Sequence, residues 1–414
     1  MNARILSTTL IAILIFCNCC SSEQAKVQVQ KFEQYDVFIS PKIDTNNVRN
    51  KAILELWQEY RLKRFENSFK GQTHDLKQYW AKSELAYKSF DLYRERLNNL
   101  DYFYVYTPSY ALQIDSLDIN LFSLQIMTMR SDLYFDATLQ DHYPSALFSM
   151  KIVRDTTGYK LANAFTFNKA KKQIYQTSAI RYYYDKDYPF DKTAVLQAHQ
   201  KLLDFSKKYQ LAFLKDPFLN EPLIEFFVYQ SRSQMQKDFG FDLHPFSYPS
   251  DVVLDIGGTQ IGANKMAFYY GGTKPEANIH EVIHILLRQI TPKPTMIEEG
   301  VCTYYGGSMG KSYEELKAGL IRYLTEQSNA DFSTTSVFEM YDLNYNHTYT
   351  VMAVLVEYIE KKWGVERVLE MLKFEANEKG NDEEVFRSTL KTFFEIEESE
   401  FVDFLKEILN MNSK

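Results

Sequence analysis

The chain has 414 residues, 45% of them hydrophobic, which is enough to bury a sizeable core and build roughly two or three domains. A net charge of −7 without a large basic cluster argues against a nucleic-acid partner. Four cysteines, of which Cys17, Cys19 and Cys20 crowd one end, leave no disulfide framework and no cysteine-built zinc site.

At the amino terminus Arg4 precedes an apolar run from Ile5 to Phe16. That run is too short to span a bilayer, which needs about 20 residues. It leads into Cys17-Asn18-Cys19-Cys20-Ser21-Ser22, which resembles a bacterial lipoprotein signal. The resemblance implies an exported cell-envelope protein, tied to a membrane through a lipidated Cys20 or Cys17. Small Cys19 before the cut suits Cys20; aliphatic Leu14 suits Cys17, but Phe16 is bulky there. Residues 1–20 are thus expected to be a signal peptide and the polar residues 21–45 a tether.

Residues 46–210 read as an α+β domain of helices followed by an antiparallel meander. Ile53, Leu54, Leu56, Trp57, Tyr60 and Leu62 predict a helix from Asn47 to Phe69, and Leu76–Leu100 predicts one or two more. Alternating stretches predict strands at Tyr102–Tyr106, Leu121–Arg130, Leu133–Leu139, Ala146–Val153 and Leu161–Phe167. Turns fall at Asp155-Thr156-Thr157-Gly158 and Asn168-Lys169, and a helix at Lys192–Tyr209 leads into the rest of the chain. This domain carries no residues with evident chemistry.

Residues 211–414 are different. Leu223–Tyr229 predicts a strand, Ser231–Asp238 a capped helix ending at Gly240, and Lys265–Tyr270 a strand turned by Gly271-Gly272. Gly257-Gly258-Thr259-Gln260-Ile261-Gly262 lacks the context of a dinucleotide site and reads as a hairpin or surface loop. Pro275-Glu276 then opens a helix whose Ile279, Val282, Ile283 and Leu286 fall at core spacing. On that helix His280 and His284 lie one turn apart on one face, so both imidazoles can reach one cation. Glu281 between them is placed as a general base, the arrangement of the His-Glu-x-x-His motif. Arg288 suits the negative helix end, and Pro292 and Pro294 break the helix. A second helix starts near Thr295, where Glu298 and Glu299 are the carboxylates available as a third ligand. Cys302 reads as a small buried residue, since no base is placed for it.

His-Glu-x-x-His, a short breaker and then Glu-Gly-x-x-x-Tyr on a helix resembles the gluzincin branch of zinc metallopeptidases. The resemblance implies one Zn2+ held by His280, His284 and Glu299, with Glu298 in a supporting role and Glu281 as the base that activates water. It implies a peptide or protein substrate, paired in extended form along the strand before the metal helix. The helix Tyr349–Trp363, closed by Gly364, is similar to the family helix whose tyrosine stabilises the oxyanion, which maps onto Tyr349; Tyr345 and His347 are its rivals. The fold expected overall is α+β, with a zincin domain ending in helices at Tyr313–Glu326, Tyr349–Trp363, Glu366–Glu375, Glu383–Phe394 and Ser399–Asn410. The third-ligand spacing and the lack of a metzincin histidine at Ile290 separate the chain from the better-known prototypes. Gly306–Ser312 echoes a phosphate loop but has Tyr305 where glycine is needed, and the acidic run Glu395–Glu400 reads as an exposed helix start. A surface lipoprotein that uses such a fold only to bind a peptide or glycan is the alternative.

Overall fold

The structure, a computed structural model, describes residues 37–39, 43–92, 109–114, 118–125, 143–213, 224–243, 257–326, 337–338, 340 and 346–411. The expected signal peptide, most of the tether and the strands expected at Tyr102–Tyr106 and Leu133–Leu139 lie outside these residues.

The strands are β1 (Val37–Ile39), β2 (Ser109–Ile114), β3 (Asp118–Gln125), β4 (Tyr143–Asp155), β5 (Gly158–Ala162), β6 (Gln173–Gln176), β7 (Ile180–Tyr184), β8 (Ile224–Tyr229), β9 (Phe241–Leu243), β10 (Gly257–Ile261) and β11 (Met266–Tyr270). The α-helices are α1 (Val48–Phe69), α2 (Ala164–Lys169), α3 (Lys192–Lys208), α4 (Arg232–Asp238), α5 (His280–Leu287), α6 (Met296–Gly306), α7 (Tyr313–Glu326), α8 (His347–Trp363), α9 (Val365–Asn377), α10 (Asp382–Thr389) and α11 (Phe401–Ile408). The molecule is thus mixed α and β. The described residues of 1–168 and 236–248 form one compact unit, and those of 169–235 and 249–414 another.

In the first unit a sheet runs β1-β2-β3-β4-β5, with β9 also paired to β4. β1 pairs parallel to β2, so residues expected to be tether instead join the sheet, and Ile43 is buried. Asn47 caps α1 by accepting from the Arg49 and Asn50 amides. The helix buries Ile53, Trp57 and Tyr60, and Tyr60 meets Trp80 edge-on at 5.7 Å between ring centres. That cluster replaces the first part of the helix expected from Leu76 by short 3-10 turns at Leu76–Tyr79 and Glu84–Ala86, and residues 93–100 of the expected span lie outside the described residues. The strand expected to reach Phe167 stops at Ala162. Asn163 ends it, donating to the Phe90 carbonyl and accepting from the Leu92 amide, and α2 follows.

In the second unit the sheet order is β10-β11-β8-β7-β6. The three inner strands are parallel, and an antiparallel strand closes each margin. Membership differs from the boundary expected near residue 210, because β7 pairs in register with β8 (Tyr182 opposite Phe226) and α3 buries Val195, Leu202 and Phe205 in the same core. β11, expected at the margin, is interior. β10 holds the margin instead, the outer arm of a hairpin made by the glycine run expected to be a hairpin or loop.

Helices α5, α6 and α8 share that core through Ile283, Val301 and Val351, among others. The C-terminal region is helical as expected, with α10 continued by a π turn at Leu390–Phe394 and α11 preceded by a 3-10 turn at Glu398–Glu400. No described helix is long and apolar enough to cross a membrane.

Candidate metal centre

The site is built where α5 and α6 cross. Pro275-Glu276 does not open α5; it forms a 3-10 turn, and α5 begins at His280, whose amide donates to the Asn278 side chain at 2.9 Å. Thr295 caps α6, accepting from the Glu298 amide. The two helices approach closely because glycine stands at the contacts. A Cβ on Gly306 would lie 2.8 Å from the His280 Cα and N, and one on Gly300 would lie 2.6 Å from the Met352 carbonyl of α8. The glycine after Glu299 is therefore set by helix packing.

Both imidazoles are buried, and hydrogen bonds from behind fix their orientation. His280 Nδ1 lies 2.7 Å from the Gly307 carbonyl oxygen, which can only accept, so this nitrogen carries the proton. His284 Nδ1 lies 2.6 Å from Glu298 Oε1 and donates to it in the same way. Glu298 is fully buried and also takes the Arg288 guanidinium and, at 3.3 Å, the Thr291 hydroxyl. Arg288 thus pairs with a carboxylate, beyond the helix-end role expected of it.

With both Nδ1 atoms engaged at the rear, both Nε2 atoms face forward. They lie 3.2 Å apart, and Glu299 Oε2 lies 3.3 Å from that of His280 and 3.4 Å from that of His284. Oε2 is buried and takes part in no hydrogen bond of ordinary geometry. Two imidazole nitrogens and a carboxylate oxygen therefore converge, a buried group able to hold a cation. Donors about 2.0–2.1 Å from a tetrahedral ion stand about 3.3 Å apart, so the triangle has the dimensions of a zinc-type site.

The charges agree with this geometry. Burial disfavours a charged Glu299, yet the imidazoles of His284 and His280 more than offset it and hold its carboxyl well below the usual range. Burial likewise works against a protonated His284, but Cys302, Glu299 and Glu298 draw its affinity for a proton well above the ordinary value. Surroundings that hold a proton so firmly also favour a metal cation.

Cys302 departs from expectation. It is buried beside His284, and His280, His284 and Cys302 bring donor atoms within 4.8 Å of one another, a group that could hold a metal ion. Burial pushes its thiol up to about 12, against the thiolate that a metal requires. Glu299 opens onto solvent through a cleft of about 300 Å³ whose walls do not include Cys302.

The cleft walls gather His280, Glu281, His284, Glu299 and Tyr349, all expected from the sequence. Of Tyr349's rivals, His347 is buried against the Tyr323 ring at 4.4 Å between ring centres and is not in the wall, and Tyr345 lies outside the described residues. Three wall residues carry no signal of their own in the sequence. Tyr269 of β11 accepts from the Gly310 amide at 3.2 Å, and burial, with Glu281 adding to it, raises its phenol above the ordinary value. Gly258 of β10 leaves room for Glu281, since a Cβ there would meet Glu281 Cγ and Oε1 at 2.6 Å. Met309 is the third. The remaining histidines with described positions take other roles: His199 contacts Ser178 Oγ at 2.9 Å, and His74 pairs with Glu66. The Glu395–Glu400 run gathers no metal-ligand group among the described residues and caps a turn.

No protein-family model matches this chain, and no curated protein matches it.

Proposed function

We propose that this protein is a zinc-dependent hydrolase, a metallopeptidase of gluzincin type that cuts peptide bonds with activated water. The observation that carries the reading is the triangle of His280 Nε2, His284 Nε2 and Glu299 Oε2, with sides of 3.2, 3.3 and 3.4 Å. A zinc ion held by these three donors supplies a Lewis acid that acidifies water and polarises the scissile carbonyl.

The chain's own groups do the rest. Glu281 shares the cleft wall with the donors, accepts the proton of the attacking water and returns it to the leaving nitrogen as the carbon–nitrogen bond breaks. The Tyr349 hydroxyl, in the same wall, donates to the oxygen that gains charge. The β10 margin runs along this cleft, and its backbone groups suit pairing with an extended peptide.

Metal analysis of purified protein, with cleavage of a peptide library, tests the reading. Wild type should carry one zinc ion per chain, and His280→Ala should lose it. Glu281→Gln should keep the zinc while turnover falls ~10²- to 10⁴-fold. Zinc bound by a wild type that cleaves no peptide would favour the binding-protein alternative; wild type without metal would sink both forms of the metal reading.

A further inference from the structure

The segment between α6 and α7 is a tight hairpin. Ser308 and Lys311 exchange both backbone hydrogen bonds, at 3.1 and 3.0 Å. The two residues between them, Met309 and Gly310, both have positive φ, 51° and 72°, the pattern of a type I′ turn. Gly310 adopts that conformation freely. Met309 does so at a steric cost that asparagine or glycine would largely avoid.

The turn cannot drift away from the metal donors. The Gly307 carbonyl accepts from His280 Nδ1, and the Gly310 amide donates to the Tyr269 hydroxyl. Gly307 itself has φ of 73°, and a Cβ there would lie 2.1 Å from the Lys311 carbonyl oxygen. A strained methionine is therefore fixed in the wall of the cleft that holds Glu281 and Glu299. Pro294, Tyr269 and Tyr349 add apolar surface beside Met309; Thr259, Gln260, Asn278 and Ser308 supply the neutral polar part of the wall, and its acidic groups are the two the mechanism uses.

We propose that Met309 is the specificity-determining residue of the cleft and selects peptides with an apolar side chain next to the scissile bond. This rests on the metallopeptidase reading and names its substrate class. A thioether on an unbranched chain adapts to leucine, methionine or phenylalanine alike, so the selection is for apolar character more than for one shape.

Met309→Gly and Met309→Asn both suit positive φ, so they fold without new strain. The probes are capped pentapeptides of alanine with leucine, phenylalanine, glycine or aspartate at the centre. They are read as kcat/KM on zinc-loaded protein and as binding to Glu281→Gln protein with and without Met309→Gly. Wild type should favour leucine and phenylalanine over glycine and aspartate by about tenfold or more, and both variants should keep their zinc and lose most of that preference. An unchanged preference in the variants, or a wild type that favours aspartate, overturns the proposal. A wild type that cleaves nothing defeats the hydrolase reading instead, and the binding measurement then decides the role of Met309 alone: lost discrimination upholds it, retained discrimination ends it.

Discussion

The front and rear of the crossing between α5 and α6 treat buried polar groups in opposite ways. At the rear, Glu298 takes a proton donor from His284, the Arg288 guanidinium and the Thr291 hydroxyl. Farther back Glu375 of α9 accepts from the Ile297 amide at 2.9 Å and meets the Thr389 hydroxyl at 3.1 Å. At the front, two imidazole nitrogens and a carboxylate oxygen converge within 3.4 Å of one another. A satisfied network holds architecture in place; ligand-type groups that converge on one point can hold a cation.

The rear yields the largest expected effect. Burial pushes Glu375 up from 4.5 to about 7, against the pull of the Ile297 amide and the Thr389 and Thr295 hydroxyls and with Asp382 adding to the rise. The Thr389 hydroxyl also lies 2.9 Å from the Val385 carbonyl, and its single hydrogen can serve only one acceptor, which suits a protonated Glu375 donating to it. The folded chain therefore holds this proton more tightly than the unfolded chain. Stability from this group is complete below about pH 4.5 and is lost as pH rises to about 7, by up to ~3 kcal/mol. Glu375→Gln should remove that slope and be the more stable protein at pH 8. Urea unfolding at pH 5 and pH 8 reads this, and parallel pH trends in the two proteins would refute it.

Glu298→Gln asks whether the rear reaches the front. It keeps the shape but removes the charge that orients the His284 proton, and zinc affinity should fall by about 10- to 100-fold in competition with a chelator. An unchanged affinity would mean that the two faces are independent. The smallest effect is expected at Gly258→Ala, where the new methyl crowds Glu281 and Tyr269 from the front. Turnover should drop about tenfold with zinc content retained. A drop in zinc content would show that β10 supports the donors themselves and not only the base.

The placement of the residues at this centre was legible where it depended on local geometry. His280, Glu281 and His284 follow from helical spacing alone. Glu298 and Glu299 are successive residues turned about 100° apart on one helix, so one can serve the rear while the other serves the front. Interactions distant in sequence were not legible. The start of α5 moved to His280 because the Asn278 side chain, and not Pro275, receives its first amide. Gly257 and Gly258 carry no alternation to betray a strand, yet they pair with Tyr270 and Tyr269. Cys302 stood near Glu299 in sequence, but its approach to His284 depends on how α6 packs. β6 and β7 went unforeseen, although Ile180, Tyr182 and Tyr183 are buried there.

The sheet of this unit has two rims, and they are unequal. β6 presents four residues that begin and end in glutamine, with Ile174 58% exposed, too brief a ledge to retain a passing chain. β10 presents five, opened by a glycine pair in the wall of the cleft. On the metallopeptidase reading, a polypeptide that docks by strand addition meets the rim that lines the cleft of His280, His284 and Glu299, and a liability to clumping would serve as a means of capture.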